Sequence, residues 1–215
     1  MEHIDITTRL MRQADQHSRV TAPVLLLGGL FSVVIGTASS IYYNRLITDD
    51  IASITVTPSA WLLPWAIVLI LTLIALVVFV SRYSNATNQN ILSPGFKTVL
   101  RSMLPSLLSG AIITSSVVTE NVDSAMFTSP LLLVFYSLSL FSIRLFVPKS
   151  IRILSILTLA LGLAFWFVSM SLGKMEVDTF HLANFYMIFG FGLLQIITGA
   201  GSLLFERSQL PPLKK

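Results

Sequence analysis

Two residues could support polar chemistry inside the apolar stretches of this sequence: Arg144 and Gln195. If both stretches are membrane-spanning helices, each residue lies about 21 Å from the outer end of its helix, so the two are at the same depth. The pair could therefore form a site for an anionic headgroup or ligand, because a guanidinium in an apolar medium needs a partner. Alternatively, Arg144 extends its long stem to the interface and Gln195 bonds a neighbouring backbone, which is the interpretation we favour.

Residues of metal-ligand type occur together around the start of the last apolar stretch, where Glu176 and Asp178 precede His181 and Asn184. One histidine near loop carboxylates does not have the spacing of a zinc site, so we predict no metal. The chain has no Cys, which excludes disulfide frameworks, thiol catalysis and iron–sulfur clusters.

Catalytic signatures are also missing. The sequence contains no HExxH, GxSxG or P-loop motif. No His falls in the middle of an apolar stretch, so axial ligands for a buried haem are lacking. No Asp or Glu falls within the stretches either, which argues against a proton- or sodium-coupled carrier. We expect no catalytic residues, no cofactor and no enzymatic activity.

Composition indicates an all-α, polytopic membrane bundle. Hydrophobic residues make up 54% of the chain and charged residues 11%, with a mean hydropathy of +0.81. Soluble domains carry about 25% charged residues, and a membrane-spanning helix needs about 20 apolar residues. Six stretches approach that length: residues 24–43, 62–81, 99–118, 131–147, 151–172 and 180–205. We divide the chain into an N-terminal segment (1–22), a six-helix transmembrane domain (23–205) and a tail (206–215).

Basic residues then predict the orientation. Twelve of the 14 fall on one side of the six stretches: Arg9, Arg12, Arg19, Arg82, Lys97, Arg101, Arg144, Lys149, Arg152, Arg207, Lys214 and Lys215. Only Arg45 and Lys174 fall on the other. By the positive-inside rule both termini are cytoplasmic. The basic residues are too scattered for a nucleic-acid surface.

The N-terminal segment and the aromatic residues give two further expectations. Residues 4–20 place Ile6, Leu10, Met11 and Ala14 at helical spacing, which fits either an interfacial amphipathic helix or a short solvated one. Six rings fall near the predicted outer interface, where an aromatic belt is expected. They are Tyr42, Tyr43, Trp61, Trp65, Trp166 and Tyr186.

Small residues recur every four positions in two of the stretches. The first stripe is Gly28, Ser32, Gly36 and Ser40, and the second is Ser102, Ser106, Gly110 and Thr114. Such faces let another helix backbone approach closely. Their partner is either another helix of the same chain, which we favour, or a second copy of the chain.

Three segments carry a resemblance to a known family: the Gly28-Gly29 pair, residues 130–140 (PLLLVFYSLSL) and residues 189–199 (FGFGLLQIITG). Together they resemble an uncharacterised family of small bacterial integral membrane proteins with six helices, over roughly residues 20–205. The resemblance implies the six-helix topology and no particular activity. Some members have His at the position of Gln195, which weakens any proton-relay role built on that position.

The sequence therefore predicts a multi-pass protein of the bacterial cytoplasmic (inner) membrane, acting as a non-enzymatic accessory, sensory or scaffold subunit. The alternative is a small transporter or channel with a polar site near Arg144 and Gln195. The expected partners are membrane lipids and either a second copy of the chain or another membrane protein, with no nucleic acid.

Overall fold

The structure, a computed structural model, describes the whole chain except residues 1, 49–57, 88–93, 121–124, 145–146, 148, 173–178 and 210–215. Nearly all of the described residues are helical and none is in a strand, which confirms the predicted all-α class. Five helices come first: α1 (Glu2–Thr48), α2 (Pro58–Thr87), α3 (Pro94–Glu120), α4 (Ala125–Ser142) and α5 (Lys149–Leu172). The last stretch is α6 (Thr179–Met187), a π-helical segment (Ile188–Leu193) and α7 (Leu194–Gln209) in direct succession.

Four helical segments are long and apolar enough to cross a membrane. They are Val20–Tyr43, Trp61–Arg82, Lys149–Leu172 and Thr179–Leu204. The apolar part of α4, Met126–Ser142, is shorter, at about 25 Å for its 17 residues. Helix α3 is more polar and contains Pro105. A membrane location therefore rests on four helices of the described chain.

The fourth stretch lies nearer the N-terminus than the hydropathy pattern predicts. Helix α4 begins at Ala125 and ends at Ser142, whereas the prediction was 131–147. After Ser142 the backbone tightens, since the N–H groups of Ile143 and Arg144 donate to carbonyls three residues earlier at 3.3 and 3.2 Å. Pro148 disfavours helical backbone at the residue before it, which limits how far the helix can continue.

Helix α1 is continuous from Glu2 to Thr48. The N-terminal segment therefore runs directly into the first apolar stretch, through Pro23. The side chains of residues 4–19, on which the expected amphipathic face depends, lie outside the described part of the structure.

Helix α1 runs antiparallel to the last stretch. Tyr43 near the end of α1 stacks on Phe180 at the start of α6, with ring centroids 5.5 Å apart. At the opposite end, Gly199 of α7 lies against Ala22 and Leu26. Helix α2 packs on α1, while α4 packs on α3, α5 and α6. The centre of the bundle is therefore α1, α4 and the last stretch.

Two buried hydrophobic clusters fill opposite ends of this bundle. One contains aromatic residues, with members Tyr43, Trp61, Trp65, Val68, Phe180, Ala183 and Met187. The other is aliphatic, with members Leu140, Ile143, Val147, Ile151 and Leu154. Outside, large apolar side chains such as Val77, Phe167 and Ile197 are about two-thirds exposed. A surface of this kind marks a membrane or protein contact.

Candidate functional site

Asn184 is the centre of a hydrogen-bonded group that we call the Asn184 node, consisting of Asn184, Trp61 and Trp65. Asn184 lies on α6 and is fully buried. Its Oδ1 accepts hydrogen bonds from Nε1 of Trp61 at 3.0 Å and Nε1 of Trp65 at 3.2 Å. The tryptophans are four residues apart, so they share one face of α2, and an amide oxygen has two lone pairs to serve both. The node thereby joins α2 to α6.

The other end of this amide has no partner within the described part of the chain. Nδ2 of Asn184 and the hydroxyl of Ser39 are both buried, and no described residue forms a hydrogen bond with either. Ser39 lies between Gly36, which contacts Ile188, and Tyr43, which contacts Phe180, so the register of α1 places it level with Asn184. A buried group without a partner costs about 1–3 kcal/mol. The two tryptophan bonds contribute about 0.5–1.5 kcal/mol each, which is of the same order and offsets this cost.

A second buried amide forms the Gln195 node, which consists of Gln195 and Tyr136. Gln195 on α7 is 5% exposed, and its Nε2 donates to the hydroxyl of Tyr136 on α4 at 2.9 Å. Its Oε1 faces α1, because a Cβ built on Gly28 would lie 3.1 Å from that oxygen. The same Cβ would lie 3.1 Å from Cγ2 of Thr72 on α2. The Gln195 side chain is thus enclosed by three other helices.

The π-helical segment ends directly before this node. A π turn carries one more residue than an α turn and changes the direction of the side chains that follow. Two buried glycines make room for the segment: a Cβ on Gly190 would overlap the Leu133 side chain, and one on Gly192 would lie 2.8 Å from Cγ2 of Val33. Helices α4 and α1 therefore approach this backbone closely and hold Gln195 toward Tyr136.

Arg144 and Gln195 have separate surroundings in the structure. Arg144 is exposed in the turn after α4, with Cζ 4.6 Å from the centre of the Phe141 ring. Gln195 is buried and bonds Tyr136. Within the described residues the two side chains are not joined by a hydrogen bond. An anionic ligand shared between them stays a prediction.

Each stripe of small residues packs on a neighbouring helix. In α1, Gly28, Ser32 and Gly36 are buried and Ser40 is partly exposed. A Cβ on Gly36 would lie 2.6 Å from Cγ1 of Ile188 and 3.0 Å from Cη2 of Trp65, so this stripe faces α2 and the π-helical segment.

The second stripe, on α3, faces α4. Gly110 and Thr114 are buried, and a Cβ on Gly110 would lie 2.6 Å from Cβ of Phe135. Ser102 and Ser106 are partly exposed, and the Ser102 carbonyl accepts a bond from Ser142 at 2.9 Å. The two stripes therefore have different partners, and both partners lie within the chain.

Most of the rings expected to form an aromatic belt face the inside of the bundle. Trp61, Trp65, Tyr43 and Tyr186 are all buried, at 7% exposure or less, while Tyr42 is exposed. The reason is that their polar atoms have partners inside the bundle. Both indoles bond Asn184, and Ser169 donates to the Tyr186 hydroxyl at 3.4 Å. Trp166 is partly exposed and packs edge-on against Phe127.

His181 and Asn184 are one turn apart on α6 but differ in burial. His181 is exposed and lines a groove of about 570 Å³ between α1 and α6, whereas Asn184 is buried. Glu176 and Asp178 lie outside the described residues. Among the residues that are described, no three His, Cys, Asp or Glu side chains form a group that could hold a metal ion.

No known protein family, curated protein or solved structure matches this chain. Its class is defined by fold and composition: over its described residues it is a helical protein in which four helices are long and apolar enough to cross a membrane.

Proposed function

We propose that this chain is a six-span protein of the bacterial inner membrane with both termini in the cytoplasm, and that it acts as a non-enzymatic accessory, sensory or scaffold subunit. The observation that carries the functional part is the use of the buried amides. Oδ1 of Asn184 and Nε2 of Gln195 bond side chains of other helices, so these bonds help to hold the bundle together.

The path of the chain supports six spans. Residues of α1 and α2 meet in reversed order, since Gly36 lies near Trp65 and Gly28 near Thr72. Helices α3 and α4 also meet in reversed order, and so do α4 and α5, where Ser137 bonds the Ser155 carbonyl at 2.8 Å. Consecutive helices that alternate in direction suit a chain that crosses the membrane repeatedly. In this topology α3 and α4 are the third and fourth crossings, in addition to the four helices that are long and apolar enough by themselves.

Reporter fusions test the orientation. A reporter at Lys215 should give a cytoplasmic signal, and one inserted within residues 119–129 should give an external signal. An external signal at Lys215 would contradict the topology, because the 12-to-2 distribution of basic residues would then be reversed.

A small transporter or channel with a polar site near Arg144 and Gln195 is the second candidate. The π-helical segment directly before Gln195 favours it, because π turns occur frequently at functional sites.

Two measurements separate these functions. The chain can be extracted from native membranes with its surrounding lipid, and the mass of the particle determined. A scaffold or accessory subunit should occur in a particle heavier than one chain. Solute efflux from vesicles containing the purified chain tests the alternative. Efflux that is abolished by Gln195→Leu and retained in Tyr136→Phe would favour the transporter.

A further inference from the structure

Five exposed basic residues of α3, α5 and the turn after α4 lie at one end of the bundle. We call them the basic patch: Lys97 and Arg101 on α3, Arg144 after α4, and Lys149 and Arg152 on α5.

Contacts between the three helices bring these residues to the same end. Ser142 at the end of α4 donates to the Ser102 carbonyl near the start of α3 at 2.9 Å. Val99 and Met103 of α3 also pack against the aliphatic cluster that contains Ile143 and Ile151. Each basic residue of the patch lies within two positions of one of these contact residues. The five positive charges therefore share one region of the surface.

No acidic residue lies near the patch on its own helices, since their one acid, Glu120, is the last residue of α3, at the opposite end from Lys97 and Arg101. Asp and Glu are absent from residues 51–119 and 124–175, which cover all five positions. The acids predicted for the same side of the membrane belong to α1 and α7 instead. No member of the patch forms an ion pair with a described residue. Like charges that are close and unbalanced repel one another, so an external anion would be stabilised there.

Apolar surface adjoins these charges directly. Leu100 and Leu104 flank Arg101 and are 50% and 43% exposed, and Ile153 beside Arg152 is 58% exposed. Arg144 lies over the face of Phe141, an arrangement that leaves the edge of a planar guanidinium open for bidentate bonds to phosphate. A ligand that fits this surface must carry both an anionic group and an apolar chain. Inorganic phosphate and nucleic acid have only the first.

We propose that the basic patch binds anionic phospholipids, with the lipid phosphate on the cations and the acyl chains along the exposed apolar residues. The proposal rests on the proposed membrane location and adds a lipid class to it. Basic residues at a membrane surface attract anionic lipid by about 1 kcal/mol each, or about fivefold in affinity. The affinity for a phosphatidylglycerol should therefore depend on the patch, whereas the affinity for a phosphatidylcholine should not.

Titration of the purified protein in neutral detergent tests this. Phosphatidylglycerol or phosphatidylcholine with the same acyl chains is added, and bound lipid is counted by native mass spectrometry. Arg144→Gln should weaken phosphatidylglycerol binding about fivefold, and Arg101→Gln/Arg144→Gln/Arg152→Gln roughly 100-fold. The matched control is Arg45→Gln, which removes one exposed arginine at the other end of the bundle and should have no effect.

Any one of three results would overturn the proposal. The first is that the triple variant binds phosphatidylglycerol as tightly as the wild type does. The second is that the wild type binds phosphatidylcholine equally well, and the third is that excess inorganic phosphate displaces the lipid. If the triple variant does not fold, wild-type binding must still weaken as salt screens the exposed charges, and salt-independent binding contradicts the proposal. If the reporter at Lys215 gives an external signal but lipid binding still depends on the patch, the proposed orientation is wrong and the proposed lipid site is supported.

Discussion

The two ends of the bundle are held together by different kinds of contact. At the end with the Asn184 node, stacked rings and two indole hydrogen bonds join α1, α2 and α6. At the end with the basic patch, the buried cluster is aliphatic and the charges remain outside it. Hydrogen bonds and ring stacking depend on direction, whereas aliphatic packing depends mainly on volume. The first end should therefore be sensitive to changes in shape and polarity, and the second should tolerate changes in charge.

The largest effect is expected for Gly36→Leu at the Asn184 end. Its side chain would have to displace Ile188 and the rigid Trp65 ring. Overpacking of this kind costs about 1–3 kcal/mol, and we expect the upper part of that range. The free energy of unfolding, measured by denaturant titration in mixed micelles, checks this. Gly201→Leu is the matched control, because a Cβ there would meet nothing within 4 Å. Equal losses in both variants would contradict the close approach of α1.

Asn184→Leu should have the next largest effect. It leaves two buried indole N–H groups without an acceptor, while it also removes an amide nitrogen that has no partner. Each orphaned group costs about 1–3 kcal/mol, so we expect a net loss of about 2 kcal/mol.

A double-mutant cycle with Trp61→Phe isolates the contribution of one indole bond. Asn184→Leu should cost less in the Trp61→Phe background, because one of the two N–H groups is already absent. Strictly additive losses would indicate that Asn184 and Trp61 act independently.

A smaller loss is expected at the Gln195 node. Tyr136→Phe removes the hydroxyl that accepts from Nε2 of Gln195, and the orphaned amide should cost about 1 kcal/mol. Gln195→Leu removes the amide and leaves the Tyr136 hydroxyl unpaired, with a similar cost. The double variant should be less than additive, which unfolding titrations of all four proteins measure. Additive losses would contradict the bond.

The sequence predicts the helices well because hydropathy alone defines most of them. Residues 62–81 and 151–172 fall within α2 and α5. It does not predict the π-helical segment, since that backbone depends on how Gly190 and Gly192 meet Leu133 and Val33 of other helices.

It also does not predict that the tryptophans are buried, for a related reason. An interfacial position follows from the amphipathic indole when no partner is known, but Trp61 has its partner 123 residues away in sequence. Asn184 was visible only as a weak candidate ligand. The sequence offers one sign of its structural role: Asn184 and the two tryptophans fall at the same predicted depth, at the starts of two different apolar stretches.

The smallest effect is expected for Arg144, at the end where charge should matter little to folding. Its guanidinium is exposed and lies over Phe141, and a cation–π contact at an exposed site contributes about 0.5–1 kcal/mol. Arg144→Lys keeps a long stem and a charge, so its unfolding free energy in lipid should equal that of the wild type, and Arg144→Ala should lose no more than that contact. Because Gln195 has its own partner in Tyr136, the losses of Arg144→Ala and Gln195→Ala should add. A Lys variant as unstable as the Ala variant, with non-additive losses in the double variant, would instead place Arg144 and Gln195 in one site.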